Sequence, residues 1–253
     1  MKMTPAVGSV EKYLLKEIDS KGAIHFTLID PEKLSPKFAA KIALEAEKAG
    51  SSAILIGGST ITPPHDTDLM IKMIKREVKI PIILFPGNVT GINRFADAIL
   101  FTSLLNSSDP YFLTGAQALG APLVKKYGLE PISSGYIVVG YGGAVSIIGH
   151  ARPIPYDKPE LVAIYALAAQ YMGMHFVYLE AGSGADSPIP PKVISHVRKT
   201  IDIPLIVGGG IRSGDDAMRA VKAGANILVT GTIVEQSGKI REKISEIVNS
   251  IKK

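Results

Sequence analysis

The chain has 253 residues, 46% of them hydrophobic and 20% charged, a balance that excludes a disordered or low-complexity protein. It contains no cysteine, which removes disulfide frameworks, thiol nucleophiles and thiolate metal sites from consideration. A formal charge of +5 suits anionic ligands, but no Lys/Arg cluster with interleaved aromatics suggests a nucleic-acid groove, so no nucleic-acid partner is expected.

Short β-branched runs alternate with longer amphipathic segments. The opening Met1 to Ala6 lacks the apolar run of a signal peptide, and a cytoplasmic protein is expected. Strands are predicted over Ala23–Ile29, Ser52–Gly57, Ile82–Phe85, Ala98–Phe101, Ser134–Val139, His175–Leu179, Leu205–Val207 and Asn226–Val229. Helices are predicted over Pro36–Ala49, Asp66–Val78, Pro110–Lys126, Pro159–Met172, Pro190–Thr200 and Ser213–Ala223, and the Lys/Arg-rich end from Lys239 reads as the exposed face of a last helix. Near-continuous apolar strands imply burial on both faces, as in a parallel sheet covered by helices. Eight of them predict a single α/β domain over residues 1–253, a (β/α)8 TIM barrel. After Phe85, the segment Pro86 to Arg94 leaves no room for an ordinary helix, so the third outer helix is expected to be missing or reduced. An open doubly wound sheet is the alternative, but no G-x-G-x-x-G follows an early strand.

A mean hydropathy of +0.24 calls for a check on membrane spans. Pro131 to Ala151 and Leu161 to Leu179 carry no charged residue and are about long enough to cross a bilayer. The first is broken by glycines and serines, and the second divides at Gly173 into a helix-like and a strand-like part. Neither reads as a span.

Ligands of such barrels bind at the carboxyl ends of the strands. There, Val207-Gly-Gly-Gly-Ile-Arg-Ser213 and Val229-Thr-Gly-Thr232 place glycines and a helix start where backbone N–H groups can hold a phosphate. The plainer reading makes the glycines tight turns and Ser213 a helix cap. In Tyr178-Leu-Glu-Ala-Gly-Ser-Gly184, strand alternation points Tyr178 and Glu180 to the same side. Glu180 is then a candidate to accept a proton from a hydroxyl, rather than a helix or salt-bridge partner, because carboxylates are rarely buried unpaired and this one directly follows an apolar strand. His25-Phe-Thr-Leu-Ile-Asp30-Pro31 brings Asp30 to the end of the first strand and Gly57-Gly-Ser-Thr60 brings Ser59 to the end of the second. Asp30 could hold magnesium beside a phosphate ligand or cap its Asp-Pro turn, and both readings stay open. His65 and Asp66 read as first-turn helix residues rather than metal ligands. The loop with His150 and Arg152 reads as either solvated or phosphate-binding.

The motifs HFTLIDP, GGST, YLEAGSGA, VGGGIRS and TGT, in this order over nearly the whole chain, resemble those of the geranylgeranylglyceryl phosphate synthase family. The resemblance implies an archaeal ether-lipid prenyltransferase with a modified barrel. Such an enzyme transfers the geranylgeranyl group of geranylgeranyl diphosphate to the 3-hydroxyl of sn-glycerol 1-phosphate, with Mg2+. It implies that Asp30 and Ser59 bind the magnesium, and that Tyr178, Leu179, Glu180, Ala181, Gly182, Ser183, Gly184, Gly209, Gly210, Gly231 and Thr232 hold glycerol phosphate. Glu180 and Tyr178 would be catalytic, Tyr178 orienting the alcohol or favouring nearby positive charge through its ring. Bacterial relatives with a heptaprenyl donor share much of the pattern. Another phosphate-binding barrel isomerase or cyclase, and a non-enzymatic phosphoglycerol binder, are the competing readings. A homo-oligomer is expected, with Tyr141 or Tyr156 as interface aromatics. The basic excess also suits contact with an acidic membrane surface, although surface lysines alone account for it.

Overall fold

A computed structural model describes residues 7–58, 64–231 and 239–252. Eight parallel strands follow one another in sequence around a closed barrel: β1 (Ile24–Ile29), β2 (Ala53–Ile56), β3 (Ile82–Leu84), β4 (Ala98–Leu104), β5 (Glu130–Val138), β6 (Phe176–Glu180), β7 (Leu205–Gly208) and β8 (Ile227–Thr230), which pairs back onto β1. Strand alternation sorts the apolar residues into two layers. Phe26, Leu55, Ile83, Leu100, Tyr136, Tyr178, Ile206 and Val229 fill the barrel. Residues of the opposite parity, such as Ile54, Ile137, Leu179 and Val207, pack under the helices.

The surrounding helices are α1 (Ser9–Lys21), α2 (Pro36–Ala49), α3 (Pro64–Glu77), α4 (Ala116–Tyr127), α5 (Gly143–Ile148), α6 (Pro159–Tyr171), α7 (Pro191–Arg198), α8 (Gly214–Lys222) and α9 (Ile240–Ser250). Between β3 and β4 there is only a single 3-10 turn, Val89–Gly91, so the third outer helix is absent as the Pro86 to Arg94 composition predicts. No helix among the described residues is long and apolar enough to cross a membrane. The two uncharged stretches instead form all of β5 but its first residue, with the loop and α5 that follow, and most of α6 and β6.

Several boundaries differ from the sequence reading. Strand β5 starts at Glu130 rather than Ser134, because Glu130 to Ser133 pair with β4, whereas pairing to β6 begins at Ser134. Pro131 therefore sits where one neighbour is missing, the position in a sheet that tolerates it. Glu130 also explains α1, a helix not expected from the sequence. Its carboxylate accepts the N–H groups of Val10 and Glu11, each at 2.8 Å, satisfying donors that a helix start leaves unpaired. Val10, Leu14 and Ile18 of α1 then join the barrel core. The predicted helix at Pro110 begins as a π-helical turn, Tyr111–Gly115, before α4.

Candidate active site

Glu180 is the last residue of β6 and only 7% exposed. Its Oε1 accepts the Gly182 N–H at 2.7 Å and its Oε2 accepts the Tyr136 hydroxyl at 3.2 Å. The Tyr178 hydroxyl also hydrogen-bonds it. Burial raises the carboxyl pKa above its usual value, and these three hydrogen bonds offset part of that effect. Burial, reinforced by the Glu180 charge, drives both tyrosines well above their ordinary range, so they remain protonated donors. Tyr178 stacks on Phe85 at 5.1 Å and meets Tyr136 edge-on at 5.0 Å. The ring contacts fix the hydroxyls that hold the carboxylate.

Glycine makes room for this arrangement. Glu180 pairs with Gly208 in register, and a Cβ on Gly208 would lie 2.2 Å from the Tyr178 hydroxyl oxygen. Gly209, left-handed at φ 85°, brings the next turn so close that a Cβ there would lie 2.7 Å from Glu180 Oε1. On the other side of the barrel, a Cβ at Gly58 would lie 2.7 Å from Asp30 Oδ1.

These groups border a cavity of about 390 Å3 at the carboxyl ends of the strands. Its lining is divided around the barrel. The arc from β6 through β8 to β2 presents Glu180, Ser183, Gly184, Gly209, Gly210, Arg212, Gly231, Asp30, Lys33 and Gly58, and Lys243 reaches it from α9. The arc from β3 to β5 is chiefly apolar, with Phe85, Val89, Ile92, Leu100, Phe112 and Val145 among its residues. Where the outer helix is missing, the Pro86 to Ile92 segment borders this side of the cavity, and Ile92 packs on α4 so closely that a Cβ at Gly120 would lie 2.9 Å from its Cδ1.

The predicted residues are distributed as follows. Tyr178, Glu180, Ser183, Gly184, Gly209, Gly210, Gly231 and Asp30 line one cavity. Leu179 and Ala181 are fully buried in the layer between sheet and helices, so their side chains face away from it. The Gly182 N–H is taken by Glu180. Ser59 and Thr232 lie outside the described residues. Ser213 forms a capping box with Asp216 at the start of α8, the plainer of its two readings. The sequence reading missed Lys33, Arg212, Lys243 and Tyr136. Arg212 stood inside a quoted motif, and Tyr136 shares the strand parity of Tyr178 through the β5–β6 pairing.

Asp30 Oδ1 accepts the Glu32 N–H at 3.1 Å, and Oδ2 pairs with Lys33 at 3.1 Å. The turn cap is thus present, and the carboxylate still borders the cavity. Among the described residues no group of three or more His, Cys, Asp or Glu could hold a metal ion. One carboxylate nevertheless fits magnesium, which commonly takes one or two from the protein and the rest of its shell from water and substrate phosphate.

Behind the phosphate-side turns lies a buried polar chain. His25 Nε2 contacts Thr230 Oγ1 and His25 Nδ1 contacts Ser51 Oγ, both at 2.8 Å, and Ser51 Oγ is 2.8 Å from Thr27 Oγ1. Burial lowers the His25 pKa from 6.5 to about 3. The unfolded chain takes up this proton below about pH 6.5 while the folded one does not until about pH 3, so stability falls as pH drops through that window. Urea titrations at pH 7 and pH 5 should show wild type losing about 2 kcal/mol more than His25→Gln between the two. Equal losses would mean that His25 titrates normally in the fold.

Residues 16–251 match the PcrB family. The chain is 56% identical to geranylgeranylglyceryl phosphate synthase of Thermofilum pendens over 243 residues, 96% of this chain and 95% of that protein. The crystal structure of (S)-3-O-geranylgeranylglyceryl phosphate synthase from Thermoplasma acidophilum, in complex with sn-glycerol-1-phosphate, superposes with a TM-score of 0.93 at 40% identity, covering 98% of this chain and 99% of that one. N-acetylmannosamine-6-phosphate 2-epimerase from Clostridium perfringens, at 15% identity and a TM-score of 0.58 over 98% of this chain and all of that one, shares the barrel fold alone. The match along nearly its whole length shows that the chain belongs to the PcrB family, together with these geranylgeranylglyceryl phosphate synthases.

Proposed function

We propose that the chain transfers the geranylgeranyl group from geranylgeranyl diphosphate to the 3-hydroxyl of sn-glycerol 1-phosphate, forming an ether and releasing diphosphate. The observation that carries this reading is the divided cavity, in which the buried Glu180 carboxylate stands between a glycine-rich, basic arc and an apolar groove. The names of the relatives, and the glycerol phosphate bound by the Thermoplasma acidophilum enzyme, agree with it.

In this reading the turns at Ser183–Gly184, Gly209–Gly210 and Gly231 hold the glycerol phosphate, with Arg212 beside them. The prenyl chain lies along the apolar arc where the outer helix is missing. Glu180 takes the proton of the 3-hydroxyl as that oxygen forms its bond to the allylic carbon and the carbon–oxygen bond to diphosphate breaks. Tyr136 and Tyr178 keep the carboxylate aimed at the alcohol, so Tyr178 acts through Glu180. Asp30 would hold Mg2+, which when bound neutralises charge on the departing diphosphate; Lys33 and Lys243 add positive charge at the same arc. The walls keep water from the allylic carbon, where it would yield the free alcohol instead of the ether. No bilayer span is required, and we assign the enzyme to the cytoplasm.

The test is to mix purified protein and magnesium with each enantiomer of glycerol phosphate and with donors of several prenyl lengths, and to identify products by mass. An ether from sn-glycerol 1-phosphate and the geranylgeranyl donor is expected, with the other enantiomer poorer by at least tenfold. A preference for the heptaprenyl donor would move the chain to the longer-chain members of the family. Absence of any ether product would overturn the prenyltransferase reading.

A further inference from the structure

The layer between sheet and helices is apolar at positions such as Ile29 of β1 and Leu228 of β8. His25 and Thr27 of β1, Thr230 of β8 and Ser51 of the α2–β2 turn interrupt it, and all four are buried. Polar groups in such a layer cost desolvation, and a valine of nearly the same shape as Thr230 would avoid it. The four form one connected run. Ser51 Oγ reaches both Thr27 Oγ1 and His25 Nδ1, and His25 Nε2 reaches Thr230 Oγ1. Thr230 ends β8 and borders the cavity together with Gly231, the residue after it. Thr230 pairs in register with Thr27, so its hydroxyl is held from behind the cavity wall.

The two phosphate-side turns are secured differently. A Cβ on Gly209 would lie 2.9 Å from Gly182 O, and one on Gly210 would lie 2.3 Å from Ser187 O, so that turn is wedged against neighbouring backbone. Among the described residues, a Cβ on Gly231 would meet nothing nearer than Leu28 at 3.4 Å, an ordinary contact. The end of β8 therefore needs another anchor. On the reading that these turns hold glycerol phosphate, we infer that His25 is a positioning residue for that site, fixing through Thr230 the strand end that carries the Gly231 amide. A neutral imidazole suits this task, because one ring nitrogen donates and the other accepts. The ring thus ties Thr230 to Ser51 at the start of β2.

The test is calorimetric titration with sn-glycerol 1-phosphate at pH 7, with steady-state kinetics beside it. Thr230→Val keeps the side-chain shape and loses only the hydroxyl, and it should raise the Kd and the KM for glycerol phosphate about fivefold to tenfold. Its kcat, and its KM for the prenyl diphosphate, should stay within about twofold of wild type. His25→Gln should weaken glycerol phosphate binding in the same way, and the double variant should lose no more than the worse single one, since both remove one interaction. A spectroscopic readout on the wild type needs no kinetics: the ring 15N signals absent from His25→Gln should move when glycerol phosphate is added, and should stay in place when glycerol is added instead. Wild-type affinity in Thr230→Val, or His25 ring signals that ignore glycerol phosphate, would overturn the positioning role and leave the run as internal packing. A wild type that binds no glycerol phosphate at all would instead overturn the underlying assignment of the site, and this inference with it.

Discussion

Glu180→Gln is expected to lower turnover by about 10²–10⁴-fold, the usual contribution of a positioned proton acceptor. Glutamine keeps the size of the side chain and an oxygen able to accept the Gly182 N–H or a tyrosine hydroxyl, but it cannot take a proton from the alcohol. Binding of glycerol phosphate, measured by calorimetry, should therefore remain detectable while product formation collapses. The wild-type pH profile provides an independent check. Burial holds the Glu180 carboxyl above its usual pKa, and only the ionised form accepts the proton, so kcat/KM should fall toward acid with a midpoint above the ordinary glutamate range. Near-normal turnover in Glu180→Gln, or an acid limb at the ordinary value, would remove Glu180 from the proton-accepting role.

Asp30→Asn should reduce activity about 100-fold or more at low magnesium and move the magnesium titration to higher concentration, because a neutral amide is a far weaker ligand for a hard cation. This substitution separates the two uses of the residue. Asparagine can still accept the Glu32 N–H that Asp30 Oδ1 accepts at 3.1 Å, so the turn keeps its cap, whereas the charge facing the cavity is lost. The Lys33 pair at 3.1 Å involves an exposed lysine and contributes about 1 kcal/mol or less to stability. A large loss of activity with a melting temperature lowered by no more than about 4 °C is therefore the expected outcome. An unchanged magnesium titration would leave Asp30 as a turn residue only.

The barrel was legible from the chain because each apolar run is short, β-branched and followed by a helical segment, a pattern that few architectures accommodate. The gap after β3 was legible for a similar reason: Pro86, Gly87 and Gly91 within so short a segment leave no length for a helix. Helix α1 was not legible. Its apolar positions are ordinary, and its start depends on the Glu130 carboxylate, which is 120 residues from Val10 in sequence. The same distance effect hid the first part of β5, since Pro131 reads as a breaker until its one-sided pairing is known.

At the site, strand parity alone put Tyr178 and Glu180 on one side, and the glycine-rich ends of β7 and β8 announced themselves by composition. Those inferences follow from local rules, because a strand's alternation and a glycine's freedom do not depend on what lies across the barrel. The tertiary structure decided what Glu180 touches. Tyr136 comes from the neighbouring strand, Phe85 from across the barrel, and Gly208 leaves the space that the Tyr178 hydroxyl occupies. The same alternation turns Leu179 and Ala181 away from the cavity, whereas closure of the sheet drew Lys33, Arg212 and Lys243 to its wall. Chemistry that resides in one short segment was written in the sequence. The surroundings that tune it are contributed by residues far apart in the chain, and only the closed barrel brings them within hydrogen-bonding distance.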